Sequence, residues 1–302
     1  MSAPTEKSLL TISKRHMASD FDLEVVVLPA NKRIAESVLF EAHRLIEEIE
    51  DSLSEYREGS LVYRLNHSGS EQWISMDVFL SEVLELSNRY LLQTRGMFSP
   101  FSRSARAFSY TDLEIDSSKN RVRRKSADLL IGFGAIGKGY ALDQVASLLE
   151  REGFSDFRLS AGGSSWVFRG FSASDEPWEV AWAWSRDADG DWIGQRYRLS
   201  GGRPIAIGVS GTAEKGQHFF RDGMPAEVSL RSAFCASRSA AEADALSTGL
   251  IVGASREGEK FLTGFPGTGI QDLCLAYVDL SDQMFYNQNF ENLFLRQGRN
   301  PQ

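Results

Sequence analysis

Cysteine, histidine and long apolar runs are all scarce in this chain of 302 residues. Its two cysteines, Cys235 and Cys274, sit in the strand-like runs SAFCAS and LCLAYV, which argues for buried thiols and against a disulfide framework or a thiolate metal site. The four histidines, His16, His43, His67 and His218, are scattered without ligand spacing, so no imidazole-built zinc centre is expected. No run approaches the roughly 20 apolar residues of a membrane-spanning helix. The N-terminal stretch MSAPTEKSLLTISKRHM lacks the apolar core of a secretory leader and a lipobox-like cysteine; the expectation is a cytoplasmic protein with no membrane insertion. An excess of basic residues is missing too. With 41 acidic against 33 basic residues the net charge is −8, which argues against nucleic acid as a charge-recruited partner but leaves small anions that local lysines or backbone amides can receive.

What is present is a globular composition, 42% hydrophobic, able to bury one large core or two modest ones. FDLEVVVL (21–28) reads as a strand, and apolar residues at helical spacing from Ala35 to Leu53 predict an amphipathic helix. SEYREGSLVYRLNHSGS reads as a polar loop, and a second helix is expected from about Asp77 to Arg95, stopping at Gly96. Strand-like material from Ala127 to Ile131 leads into a glycine loop and a helix in GFGAIGKGYALDQVASLLEREG (132–153). Strand pairs follow in FRLSAGGSSWVFRG and across the DADGD turn, then single strands at 205–211, 228–237 and 273–280, the last two separated by a helix. Strands and helices do not alternate strictly, so the fold class is α+β, a single domain with antiparallel sheets and packed helices. Residues 1–16 read as an N-terminal extension, 17–280 as the domain and 281–302 as an aromatic-dotted C-terminal tail.

Four stretches are candidates for chemistry. In AAEADALSTGLIVG (240–253), Asp244 and Thr248 stand one helical turn apart, which points a carboxylate and a hydroxyl from one face, two hard oxygen ligands suited to Mg²⁺. Taken alone, the pair also reads as a helix N-terminal turn, with Glu242 and Asp244 complementing the dipole and Thr248 bonding back to a carbonyl. The glycines of GFGAIGKG let backbone amides approach a phosphate, with Lys138 supplying charge, or they simply permit close helix packing. It is not a Walker A loop, because Gly139 follows Lys138. DADGDWIGQRYR begins like a calcium loop but carries Arg198 where the bidentate Glu belongs, so a solvated hairpin turn is expected. His218, in GQHFFRDG, reads by itself as a packed or hydrogen-bonded histidine.

In order along the chain, these segments resemble the ApbE family of FAD:protein FMN transferases, from about Met17 to Val278. SEYREGSLVYRLN is similar to the family's S-x-Y/F-x-x-x-S-x-(L/I)-x-R-(L/F)-N. GMFSP is similar to G-A-F-D-P, and GFGAIGKGYALD to (D/N)-L-G-G-I-A-K-G-Y-A-(V/L)-D. LSAGGS corresponds to N-x-G-G-D, VSG with GQHFFRDG to T-S-G and H-I-I-D-P-x-T-G, and EADALSTGLIVG to A-D-A-L-S-T-A-L-x-V-x-G.

The resemblance implies a domain of the T-fold type holding FAD in a deep groove. It further implies Mg²⁺ on the FAD pyrophosphate with Asp244, Thr248 and the Ala135 carbonyl as ligands. Tyr56, Met97, Phe98, Ser99, Lys138 and Phe220 would bind the nucleotide, and Asp244, Lys138 and His218 would be catalytic. The implied reaction moves FMN from FAD to a Ser or Thr hydroxyl of an acceptor flavoprotein, a protein flavinylation that releases AMP. A Mg²⁺-dependent FAD pyrophosphatase and a non-catalytic flavin-binding relative are the alternatives. The chain departs from the family pattern at Gly132, Ser99, Ser160, Ser164 and Arg221-Asp222, where charged or amide groups are expected.

Overall fold

The computed structural model describes residues 6–200, 202–212, 219–221, 224–264 and 273–296. Two strands, β1 (Ser8–His16) and β2 (Ser19–Val27), lead into the helices α1 (Lys32–Leu53) and α2 (Leu61–His67), and after the short β3 (Ile74–Ser75) comes α3 (Val78–Gln93). A hairpin of β4 (Leu113–Asp116) and β5 (Arg121–Arg124) precedes α4 (Gly137–Arg151). The strands β6 (Phe157–Ala161), β7 (Ser165–Arg169), β8 (Glu179–Arg186), β9 (Trp192–Leu199) and β10 (Ile205–Gly211) follow. Then come β11 (Phe220–Arg221), β12 (Met224–Pro225), β13 (Leu230–Ser237), α5 (Ala240–Glu257), α6 (Glu259–Thr263), β14 (Cys274–Asp279), β15 (Met284–Tyr286), α7 (Gln288–Leu293) and β16 (Phe294–Arg296).

The main sheet has eight strands in the order β1-β2-β6-β7-β10-β13-β14-β15, every neighbour antiparallel. Its two faces bury different cores. Phe21, Leu23, Leu159, Ala233 and Cys235 join the residues of α1, α4 and α5 in one core. On the opposite face Phe168, Ile207, Phe234, Ala236 and Cys274 pack against Trp182 and Tyr197 of the small sheet β16-β9-β8. Period-2 alternation in a strand covered on both sides accounts for the unbroken apolar run in SAFCAS. It also separates the thiols: Cys235 and Cys274 lie on neighbouring strands but in different cores, both free, and burial holds the Cys235 thiol far above its usual range.

Both chain ends are built into this frame. Residues 8–16, set apart in the sequence as an extension, pair along their whole length with β2 as an edge strand. The aromatic tail supplies β15 to the main sheet, and Phe290 fills the outer core at 5.6 Å from Phe234. Two local expectations give way. The polar loop after Ser54 contains α2, nucleated by Ser60, whose hydroxyl accepts the Tyr63 amide at 3.0 Å. Residues 127–131 form no strand, because the buried Arg124 guanidinium takes the carbonyls of Ala127 and Leu129 at 2.9 and 2.6 Å, and strand character moves to β4 and β5. The DADGD segment is a solvated turn in which Asp187 accepts the amides of Asp189 and Asp191.

Candidate functional site

Glycines close α4, α5 and β10 onto one another. A Cβ at Gly139 would overlap the Ala240 carbonyl oxygen, and one at Gly208 would overlap the Ala243 carbonyl, so both helices approach to a distance only glycine allows. The N-terminus of α5 is tied down at the same place. Asp143 of α4 accepts the amides of Ala240 and Ala241 at 2.8 and 2.9 Å and the Ser239 hydroxyl at 2.7 Å, while Ser239 caps the helix from its own side.

Asp244 therefore emerges from a fixed turn. Its Oδ2 accepts the Gly139 amide at 2.8 Å and the Ser165 hydroxyl at 2.9 Å, and neither bond uses Oδ1. Burial pushes its carboxyl up to about 7, with the positive charge of Lys138 and these two hydrogen bonds pulling the other way. Thr248 lies one turn on; its hydroxyl is 3.1 Å from Ser210 Oγ, which lies 2.9 Å from Ser247 Oγ. The one-turn spacing thus delivers both oxygens to one place. Thr248 is held across α5 and β10 by a serine, not bonded back along its own helix.

These groups open onto a cavity of about 690 Å³ at the end of the main sheet, under the β8–β9 hairpin. Tyr56, Met97, Ser99, Ala135, Lys138, Phe220, Asp244 and Thr248 all line it, so eight of the ten sequence-predicted site residues converge there. Phe98 does not: it is a fully buried core residue whose amide is held by Thr94 Oγ1 at 2.9 Å, leaving its neighbours Met97 and Ser99 to face the cavity. His218 lies outside the described residues. Lys138 reaches from the first turn of α4 to Ser164 Oγ at 2.7 Å, beside the exposed Gly162-Gly163 turn, where both glycines have positive φ. The loop before α4 is pinned by Asn66, whose side-chain amide exchanges two hydrogen bonds with the Ile131 backbone at 2.7 and 2.9 Å.

Sequence reasoning missed much of the wall. Trp166, Trp182, Trp184 and Trp192 line one side, with the Trp182 indole N–H donating to Ser232 Oγ at 2.9 Å. Glu55 and Arg103 stand at the mouth, paired at 3.3 Å, with Arg103 also donating to the Tyr56 hydroxyl and lying 5.8 Å from the Phe220 ring centre. In sequence the tryptophans show only strand alternation, and nothing marks Glu55 or Arg103 as neighbours across 48 positions. Chemically, the cavity offers a buried carboxylate and hydroxyls able to hold a hard cation. Beside them lie a lysine suited to phosphate and an aromatic wall suited to planar rings.

An antiparallel α+β frame thus carries this oxygen pair, glycine loop and lysine in one cavity. The ApbE family model matches residues 17–270, and the chain belongs to that family. Among curated proteins, the FAD:protein FMN transferase of Klebsiella pneumoniae (strain 342) is 24% identical over 261 residues, covering 76% of this chain and 74% of that one. The FAD:protein FMN transferase of Escherichia coli (strain K12) is 30% identical over 142 residues, covering 45% of this chain and 40% of that one. Among solved structures, the flavin transferase ApbE from Vibrio cholerae superposes with a TM-score of 0.77 at 19% identity, covering 95% of this chain and 99% of that one. The ApbE protein from Thermotoga maritima gives 0.79 at 20% identity, covering 96% and 100%. At such identities these superpositions speak to the fold.

Proposed function

We propose that this protein is a Mg²⁺-dependent FAD:protein FMN transferase, moving FMN from FAD to a Ser or Thr hydroxyl of an acceptor flavoprotein with release of AMP. The observation that carries the reading is the convergence of Asp244, Thr248 and Lys138 on one cavity large enough for a dinucleotide, in a chain whose relatives bear that name. The donor set fits a hard cation: among the described residues neither hydrogen bond to the Asp244 carboxylate uses Oδ1, Thr248 has a positioned hydroxyl, and Ala135 lines the same cavity. Bound there, Mg²⁺ would neutralise pyrophosphate charge and favour departure of AMP.

The chain's own residues do the rest. Lys138 offers positive potential to the phosphates beside the Gly162-Gly163 turn, and the Gly139–Asp244 hydrogen bond locks the carboxylate's direction before substrate arrives. The acceptor hydroxyl oxygen forms the new bond to the FMN phosphorus as the bond to the AMP oxygen breaks, and the hydroxyl proton is lost to a base. His218 enters as a catalytic candidate on the sequence alone. Rings of the dinucleotide would rest against Tyr56, Met97, Phe220 and the tryptophan wall.

The test is incubation with FAD, Mg²⁺ and an acceptor flavoprotein, read by in-gel flavin fluorescence and by AMP release. Covalent flavin on the acceptor with matching AMP, abolished by chelation, is the expected result. FMN and AMP without adduct would point to hydrolysis, and FAD binding without turnover to a non-catalytic relative.

A further inference from the structure

The mouth of the cavity contains a substitution of position. Gly132 opens the loop before α4, at the place where the matching family motif carries Asp or Asn, and it contributes no side chain. The space is not left to solvent. A Cβ built on Gly132 would lie 3.1 Å from both carboxylate oxygens of Glu55, which arrives from the segment between α1 and α2. Glu55 lines the cavity with its side chain only 18% exposed, held by Arg103 at 3.3 Å. Tyr56 and Phe220 flank that guanidinium at 5.7 and 5.8 Å and line the same mouth.

Resting on the FAD reading above, we propose that Glu55 is a specificity-determining residue of the site, supplying from 77 positions upstream the acceptor group that position 132 lacks and reading an N–H donor on a heteroaromatic ring of the bound nucleotide. The argument is one of charge and shape. A carboxylate in a partly desolvated mouth repels phosphate, so the phosphates belong at the other end, near Lys138 and the Gly162-Gly163 turn. What a carboxylate between aromatic side chains receives well is a planar group with an N–H edge: the ring stacks or edges against Tyr56 and Phe220 while its N–H donates to Glu55. Both rings of FAD present such an edge. Arg103 orients the carboxylate in the absence of ligand. Because a Cβ at position 132 would press on the Glu55 carboxylate, a second carboxylate at position 132 would crowd and repel it.

That crowding makes the proposal testable by relocation. FAD affinity is measured by flavin fluorescence for the full chain and for Glu55→Ala, Glu55→Gln, Gly132→Asp and the double variants Glu55→Ala/Gly132→Asp and Glu55→Ala/Gly132→Asn, with melting temperatures taken alongside. Loss of a charge-assisted hydrogen bond predicts about 10- to 100-fold weaker FAD binding by Glu55→Ala. Glu55→Gln, which keeps an acceptor oxygen, loses less, and at least one double variant recovers most of the affinity. Gly132→Asp alone weakens binding, because two carboxylates then share one volume. Titrations with FMN and with ADP identify the ring: the ligand whose affinity follows Glu55 carries the N–H being read. Glu55→Ala binding FAD as the parent does would overturn the proposal. So would a loss that neither double variant restores, which would reduce Glu55 to a support for Arg103. A parent that binds no FAD at all contradicts the FAD reading itself, a failure distinguishable from these because it precedes any variant.

Discussion

The two ends of the cavity are built in opposite ways. At the inner end, Asp244 is buried, fixed by a backbone amide and a serine hydroxyl, and carried on a helix whose first turn is bound to its neighbour by Asp143. At the mouth, Tyr56 is 73% exposed and Phe220 38%, and the contacts are between side chains on loops: Arg103 to Tyr56, to Glu55 and over Phe220. The comparison teaches where each kind of specificity is stored. A site that must meet a small, hard, invariant group is held by backbone and short polar side chains. A site that must meet a ring, an acceptor or both is assembled from long side chains on loops.

If that contrast is right, substitutions at the inner end should move stability and pH dependence, and those at the mouth should move ligand affinity with little effect on the fold. The largest effect is expected from Asp244→Asn in the metal-free protein. The Asp244 carboxyl titrates at about 7 when folded against an ordinary value of 3.8, so between these values the folded protein holds a proton the unfolded chain has lost, and stability falls as pH rises across that window. Removing the charge should therefore stabilise the metal-free protein by up to about 4 kcal/mol above pH 7 and by nothing below about pH 4. Denaturant melts at both pH values, with and without the substitution, check the sign. The same titration predicts that apparent Mg²⁺ affinity declines about tenfold per pH unit below 7, because the metal must displace the proton.

Next in size is Gly139→Ala. The new methyl overlaps the Ala240 carbonyl, so the α4–α5 contact must open at a cost of about 1–3 kcal/mol, visible in the melting temperature without any ligand. Ser210→Ala removes the hydroxyl that holds Thr248, and Mg²⁺ affinity by calorimetry should fall about 2- to 5-fold, with Ser210→Thr restoring most of it. Smallest on stability is Phe220→Ala at the mouth, within about 0.5 kcal/mol of the parent. Its FAD affinity should still drop about 3- to 10-fold through lost ring contact. A Phe220→Ala protein that melts as low as Gly139→Ala would erase the distinction between the two ends.

The same contrast decides what could be read in the sequence. Most of the longer strands from Phe157 onward, the long helices and the Asp244–Thr248 pair were legible because period and spacing are local: one helical turn fixes the direction of two oxygens, and a double-glycine turn with positive φ fixes a hairpin. Glycine's role at position 139 was legible only as a choice between phosphate approach and close packing, and the geometry shows close packing against Ala240. Phe98 was misplaced because a motif position does not say which of three adjacent side chains turns inward. The strand expected at 127–131 failed because Arg124, buried from a different element, claims its carbonyls. Glu55, Arg103 and the four tryptophans of the wall become neighbours only through the order of strands and the packing of the small sheet on the large one, and no local pattern carries that information.

The central claim, that the Asp244–Thr248 face is a cation site serving a bound dinucleotide, is tested most directly by titrating FAD with and without Mg²⁺ into the parent, Asp244→Ala and Thr248→Ala. The account predicts Mg²⁺-enhanced binding in the parent, no Mg²⁺ effect in Asp244→Ala, and an effect weakened about tenfold in Thr248→Ala, which loses a neutral ligand and keeps the charge. Equal, Mg²⁺-independent FAD binding in all three proteins would contradict it.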